Sequence, residues 1–158
     1  MIANEKSLFD FVDSILKKKG FVKKKNTWYW STDECICFFS IGKSPYGGLY
    51  EDVMGCFLKE LNDTGKEFPE LHKSHLRYTI EELVDKDLVK SVFNLENHEF
   101  KGDEREFMIK ELIEIYVIPF IEDVNTKQNI KAAIAKYSDL VYWIDTDLRK
   151  KLSIKTPK

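Results

Sequence analysis

The chain has 158 residues, of which 43% are hydrophobic and 33% are charged, and its net charge is −2. This length and composition fit one globular domain, expected to span residues 1–158, and exclude a disordered chain. No stretch approaches the roughly 20 apolar residues that cross a bilayer, and the N-terminus lacks the features of a signal peptide, so no membrane role or export is expected.

Positive charge is concentrated at the start of the chain. Residues 1–25 carry a net charge of +4 and the remainder carries −6. A nucleic-acid-binding surface would add Arg and exposed aromatic residues over a broad face, whereas this cluster is local and has no Arg. Lysines here are better explained by the end of a helix, whose dipole they complement. We therefore expect no nucleic-acid partner.

The first predicted element is an amphipathic helix from Asn4 or Ser7 to Lys19, with Gly20 as its stop signal. Its apolar residues recur at helical spacing and form one stripe: Leu8, Phe11, Val12, Ile15 and Leu16. A stripe of this width predicts that the helix lies on a sheet.

An antiparallel β-meander is predicted from about Thr27 to Leu58. Its first strand shows the period-2 alternation of Trp28 and Trp30 with other residue types. The second strand, Cys35 to Ile41, is apolar at nearly every position, so we expect it to be buried on both faces and central. A loop rich in Gly then leads into a third strand, from Leu49 to about Lys59.

A fourth strand is predicted within Leu71–Ile80, with His75 and Arg77 on a solvent-facing side and Leu76 and Tyr78 on the buried side. The rest of the chain is expected to be helical. The predicted helices are one within Glu81–Leu95, one from Asp103 that opens with a capping box to Glu106 and breaks near Pro119, one from Thr126, and a last one capped by Ser138 or Asp139. This order predicts an α+β fold: an antiparallel sheet of about four strands, preceded by one helix and followed by a C-terminal helical layer.

The residue types that ligate transition metals do not have a metal-binding spacing. Cys35, Cys37 and Cys56 lie in apolar strands and fit core packing in a reducing cytoplasm. His72 and His75 would point to opposite faces of a strand, so a tetrahedral site cannot be formed from them. No metal and no cofactor are expected.

Four polar residues could form a small-anion pocket or an enzyme site if the fold brings them together: Lys43, Ser44, His75 and Arg77. The alternative is structural: Ser44 starts the turn at Pro45, and His75 and Arg77 face water. The alternative is favoured, because no oxyanion hole or oriented base can be identified. Gly47 and Gly48 precede a strand rather than a helix, so they are not a phosphate-binding loop.

Several short segments occur in a recognisable order: Gly20-Phe21 with Lys23-Lys24-Lys25, Trp28-Tyr29, Lys43-Ser44 with Tyr46-Gly47-Gly48, and His75-Leu76-Arg77. Together they resemble the bacterial domain of unknown function 4304 family, over roughly residues 5–135. The chain departs from the family pattern at Gly42, where the family has glutamine, and at Ser74, where a cysteine is frequent. The resemblance implies a compact cytoplasmic α+β fold and no particular activity.

The function expected from these observations is that of a non-enzymatic protein-binding domain. Small families of this kind suggest that the protein-binding domain is an immunity protein that inhibits a toxin. An acidic surface on the domain would attract a basic toxin. Aromatic residues such as Tyr46 and Trp143 could anchor an interface. The candidate partner- or ligand-binding residues are Lys43, Ser44, Tyr46, Gly47, Gly48, His75 and Arg77. The alternative is the small-anion pocket or enzyme, and no pattern sets an oligomeric state.

Overall fold

An antiparallel sheet of five strands, each hydrogen-bonded to its neighbour in chain order, forms the centre of the computed structural model, which describes residues 2–157. The strands are β1 (Val22–Lys24), β2 (Thr27–Ser31), β3 (Cys35–Lys43), β4 (Tyr50–Leu58) and β5 (Leu76–Tyr78). The predicted meander is confirmed as β2 to β4, and β3 is the central strand as expected. The three-residue edge strand β1 was not predicted, because a run so short and so rich in lysine has no strand periodicity.

The helices pack against one face of this sheet in the predicted α+β arrangement. They are α1 (Glu5–Leu16), α2 (Lys86–Phe93), α3 (Glu104–Leu112), α4 (Ile118–Asp123), α5 (Lys127–Lys136) and α6 (Thr146–Lys151). None of the helices formed by residues 2–157 combines the length and the apolar character that crossing a bilayer requires.

The first helix begins and ends as predicted. The Asn4 side chain accepts a hydrogen bond from the Ser7 amide at 2.9 Å, and the Ser7 hydroxyl accepts one from the Asn4 amide at 3.0 Å. This reciprocal cap satisfies amides that have no partner within the helix. After α1 a short 3₁₀ turn ends at Gly20, whose φ of +93° is a conformation that favours glycine. The apolar stripe is buried on the sheet, and the Trp28 indole donates to Asp13 at 3.0 Å.

The C-terminal helical layer matches the prediction in outline and differs in its caps. A π-helical turn, Ile113–Val117, precedes α4, so the predicted interruption near Pro119 is confirmed. Thr126 caps α5 through its hydroxyl, as expected. Asp103, however, makes no side-chain cap, because its backbone (φ −103°, ψ 16°) is not in the extended conformation of a capping residue.

The predicted last helix is wrong in its extent. Asp139 adopts a positive φ of 62° and makes no cap, and residues 140–143 form a 3₁₀ turn. The α-helix α6 begins later, where the Asp145 carboxylate accepts the Leu148 amide at 2.9 Å. Residues 144–145, between the 3₁₀ turn and α6, are extended, and Ile144 pairs with Leu76 at the edge of β5. This pairing determines the shape of the site described below.

Both faces of the sheet are covered, but unequally. The helices cover one face and form the main core. On the other face, Phe68 and Leu71, from the segment that joins β4 and β5, pack on a small aromatic cluster that includes Phe38 and Phe57. The predicted fourth strand is therefore shorter than expected, since residues 71–73 form a 3₁₀ turn within this cover.

Candidate functional site: a groove beside the fifth strand

The last residue of β3 and the loop that follows it hold five of the seven candidate residues, and three of them have structural roles. The Ser44 hydroxyl is buried and accepts the Tyr46 amide at 3.2 Å, as in a turn started by serine. Gly47 has a φ of +66°, and a side chain at Gly48 would collide with Glu96. These contacts explain the serine and both glycines without a ligand.

Of these five candidates, Lys43 and Tyr46 have exposed side chains, and Tyr46 is 81% exposed. Neither makes a side-chain hydrogen bond or ion pair within residues 2–157. Their positions leave them available for contact with a partner, but no neighbouring polar groups converge on them.

The loop does not meet His75 and Arg77. Lys43 is paired with Tyr50 at one end of β4, whereas Arg77 is paired with Gly55. The five-residue offset along β4 corresponds to ~17 Å at about 3.3 Å per residue. The fold therefore does not bring Lys43, Ser44, His75 and Arg77 together into one pocket.

His75 and Arg77 instead share a groove of about 490 Å³ that runs beside β5, called here the β5 groove. Its other wall is the extended segment before α6, held along the edge of β5 by the Leu76–Ile144 bridge and by a 2.9 Å hydrogen bond from the Asp145 amide to the His75 carbonyl. This pairing covers a strand edge that would otherwise be open. The groove is lined by Val53, Ser74, His75, Arg77, Tyr142, Trp143, Ile144 and Asp145.

His75 is buried, with 6% of its surface exposed, so its predicted solvent-facing position is wrong. The reason is the cover on the second sheet face, where the imidazole packs edge-on against Phe57 at 5.9 Å between ring centroids. Its Nδ1 accepts the Leu58 amide at 2.8 Å. The neutral ring therefore carries its proton on Nε2, which is a hydrogen-bond donor.

Ser74 is also buried, with 6% of its surface exposed, and its hydroxyl has no hydrogen-bond partner within residues 2–157. A buried polar atom in this state is uncommon in a folded protein. In the sequence Ser74 stands out only as a departure from the family pattern, since a missing hydrogen bond leaves no signal in a sequence.

Charge in the groove comes from two side chains. Arg77 is exposed, and within residues 2–157 its guanidinium has neither an ion-pair partner nor a hydrogen bond. Asp145 is the acidic residue of the lining, and one of its oxygens is occupied in capping α6. The strand residue opposite Arg77 is Gly55, which places no side chain beside it.

The rim of the groove is aromatic. Tyr142 is 61% exposed and Trp143 is 40% exposed, so two large aromatic side chains present surface next to each other at the groove. The inner edge of Trp143 packs at right angles on Tyr78, with 6.1 Å between ring centroids. Trp143 is identifiable from the sequence as a possible anchor, but its proximity to His75 and Arg77 is not, because that proximity depends on the bridge from β5 to Ile144.

A second cleft of about 260 Å³ lies at the other end of β4 and contains Asp52. Burial raises the pKa of Asp52 to about 7, against the opposing effect of a 2.9 Å hydrogen bond from the Ile80 amide and with the negative charge of Glu81 adding to the rise. Because one carboxylate oxygen holds the turn that begins at Ile80, this residue has a clear structural role.

The three cysteines are free and buried. Burial raises the pKa of the Cys37 thiol well above its ordinary value, which makes it a poor nucleophile and a poor metal ligand. Within residues 2–157, no three His, Cys, Asp or Glu side chains are grouped in a way that could hold a metal ion.

These features define a small α+β domain with an antiparallel meander, a helical layer on one face and a polar groove with an aromatic rim at the β5 edge. The model of the family described as domain of unknown function DUF4304 matches residues 12–123, and the chain belongs to this family. No curated protein and no solved structure matches the chain. The matched region includes Ser74, His75 and Arg77 but ends before Tyr142 and Trp143, so the aromatic rim comes from outside it.

Proposed function

We propose that the chain is a non-enzymatic protein-binding domain whose partner contacts the β5 groove. The observation that carries this proposal is the exposure of Tyr142 and Trp143 next to the unpaired guanidinium of Arg77 around one concave surface. Trp, Tyr and Arg are the residue types that dominate the binding energy of protein interfaces. A partner side chain that enters the groove would contact all three.

The rim also has the rigidity that favours binding. Trp143 packs on Tyr78, whose hydroxyl donates to the Ser138 carbonyl at 2.5 Å and whose ring stacks on Phe120. A side chain that is already fixed loses little conformational entropy when a partner binds. This arrangement supports a role for Trp143 as an anchor.

Inhibition of a toxin, as by an immunity protein in the cytoplasm of a bacterium, is the particular form of binding that we propose. Its support is the net charge of −6 on residues 26–158, which would attract a basic toxin surface. The three free, buried cysteines suit a reducing cytoplasm.

Affinity capture from the native cells tests the proposal. The tagged chain should recover one polypeptide in stoichiometric amount, and the double variant Tyr142→Ala, Trp143→Ala should recover at least about ten-fold less, as expected for the loss of anchor residues. The matched control is Tyr46→Ala, which removes an exposed aromatic residue at the distant loop and should recover as much as the unchanged chain.

Two results would contradict the proposal: equal recovery by the double variant, or loss of recovery in Tyr46→Ala alone. The toxin form has its own test, which is growth of cells that express the recovered polypeptide. Co-expression of the unchanged chain should restore growth, and co-expression of the double variant should not.

A further inference from the structure

We propose that the inner part of the β5 groove binds the carboxylate of an acidic side chain on the protein partner. This inference rests on the proposed function and names the chemistry that the partner presents. It starts from three residues of one short segment that line the groove and carry hydrogen-bond donors: Ser74, His75 and Arg77.

The positive charge is available. Arg77 has no ion-pair partner within residues 2–157, and Asp145, the acid of the groove lining, has one oxygen engaged by the Leu148 amide. A guanidinium presents paired N–H groups that match the two oxygens of a carboxylate. A carboxylate that enters the groove therefore meets a cation whose charge is not neutralised by an ion pair.

The Ser74 hydroxyl is the second, independent observation. It is more than nine-tenths buried and has no partner, and no structural contact accounts for a hydroxyl at this position. A ligand oxygen would supply the missing hydrogen bond. Because less than 1 Å² of the hydroxyl oxygen is accessible, a ligand oxygen reaches it only after neighbouring side chains move, as is common on binding.

The remaining lining distinguishes a protein side chain from a free anion. Val53, Tyr142 and Trp143 add apolar surface to the groove, which a small inorganic anion would not use. An acidic residue flanked by aliphatic residues would contact both kinds of lining. Its carboxylate would meet the polar floor, which is Ser74, His75 and Arg77, and its neighbours would meet the apolar surface. The occupant that fits is therefore an acidic side chain in an apolar context.

Titration of the full chain with the capped peptide acetyl-Leu-Glu-Leu-amide, followed by NMR, tests this inference. Saturable shifts are expected at the Ser74, His75 and Arg77 amides and at the Trp143 indole, with a dissociation constant on the order of millimolar. Arg77→Gln should weaken binding about ten-fold or more, because it removes charge-assisted hydrogen bonds. The control Lys43→Gln, which removes an exposed charge at the distant loop, should bind as the unchanged chain does.

Ser74→Ala separates a binding role from a structural one. It should weaken binding by about three- to ten-fold while the urea midpoint of unfolding stays the same or rises, because the hydroxyl makes no bond in the free protein. Ser44→Ala is the matched control. It loses the hydrogen bond to the Tyr46 amide and should lower the midpoint without affecting peptide binding.

Three outcomes would overturn the inference: no saturable shift, equal binding of acetyl-Leu-Gln-Leu-amide, or shifts in the groove with inorganic phosphate but not with the acidic peptide. If the peptide fails to bind and Arg77→Gln captures the partner normally, while Tyr142→Ala, Trp143→Ala does not, the carboxylate assignment falls and the proposed function stands. If Arg77→Gln and the double variant both capture the partner normally, the carboxylate assignment and the proposed function are both wrong.

Discussion

At the scale of single residues, Asp52 shows how burial changes ionisation. Its carboxyl accepts the Ile80 amide, and burial raises its pKa to about 7 in the folded chain, compared with 3.8 as its ordinary value. Between these pH values the folded state binds a proton that the unfolded state releases. The protonated Asp52 carboxyl thus makes its full contribution to the free energy of unfolding below about pH 4. This contribution is lost as the pH rises to about 7.

Asp52→Asn should remove this dependence, since an amide oxygen still accepts the Ile80 amide and carries no charge. We expect the variant to be within about 1 kcal/mol of the unchanged chain near pH 4.5 and to be more stable by about 2–4 kcal/mol at pH 8. Urea unfolding at the two pH values measures the difference, with Asp63→Asn at an exposed position as the control. A difference between Asp52→Asn and the unchanged chain that does not vary with pH would refute this account of Asp52.

At the scale of elements, the pairing of β4 with β5 depends on Gly55. A side chain there would lie 1.9 Å from the Leu76 carbonyl oxygen, a backbone atom that cannot move aside without shifting the strand. Gly55→Ala should therefore destabilise the chain by about 2–4 kcal/mol. In the matched control Gly42→Ala, the new methyl group meets no atom within 4 Å, and the change should be neutral or stabilising by up to about 1 kcal/mol. Chemical denaturation of both variants measures the contrast, and similar effects would contradict it.

Elements determined by local sequence were predictable. The cap at Asn4 and the start at Thr126 follow from side chains that accept nearby backbone amides, and the stop at Gly20 follows from the positive φ that glycine adopts without steric cost. His75 was misplaced because its ring packs on Phe57, on a sheet face that Phe68 and Leu71 help to cover from a segment with no strand or helix periodicity. Local alternation indicates which residues share a face but does not indicate what covers that face.

At the scale of the whole molecule, the site joins two distant parts of the chain. The motif around His75 and Arg77 was visible in the sequence, whereas its juxtaposition with Tyr142 and Trp143 depends on the edge pairing at β5. The family match covers the first part alone. If the second part selects the partner, members of the family that share the polar floor would differ in what they bind through their C-terminal segments.

The most direct test of the central claim, that the partner binds over the β5 groove, is photo-crosslinking in the native cells. A benzophenone amino acid is placed at Tyr142 in one variant and at Tyr46 in another, both exposed positions where the substitution keeps an aromatic ring. If the partner binds over the β5 groove, a single crosslinked polypeptide forms from position 142 and none forms from position 46. A crosslink that forms from position 46 and not from position 142 would place the interface at the β3–β4 loop instead.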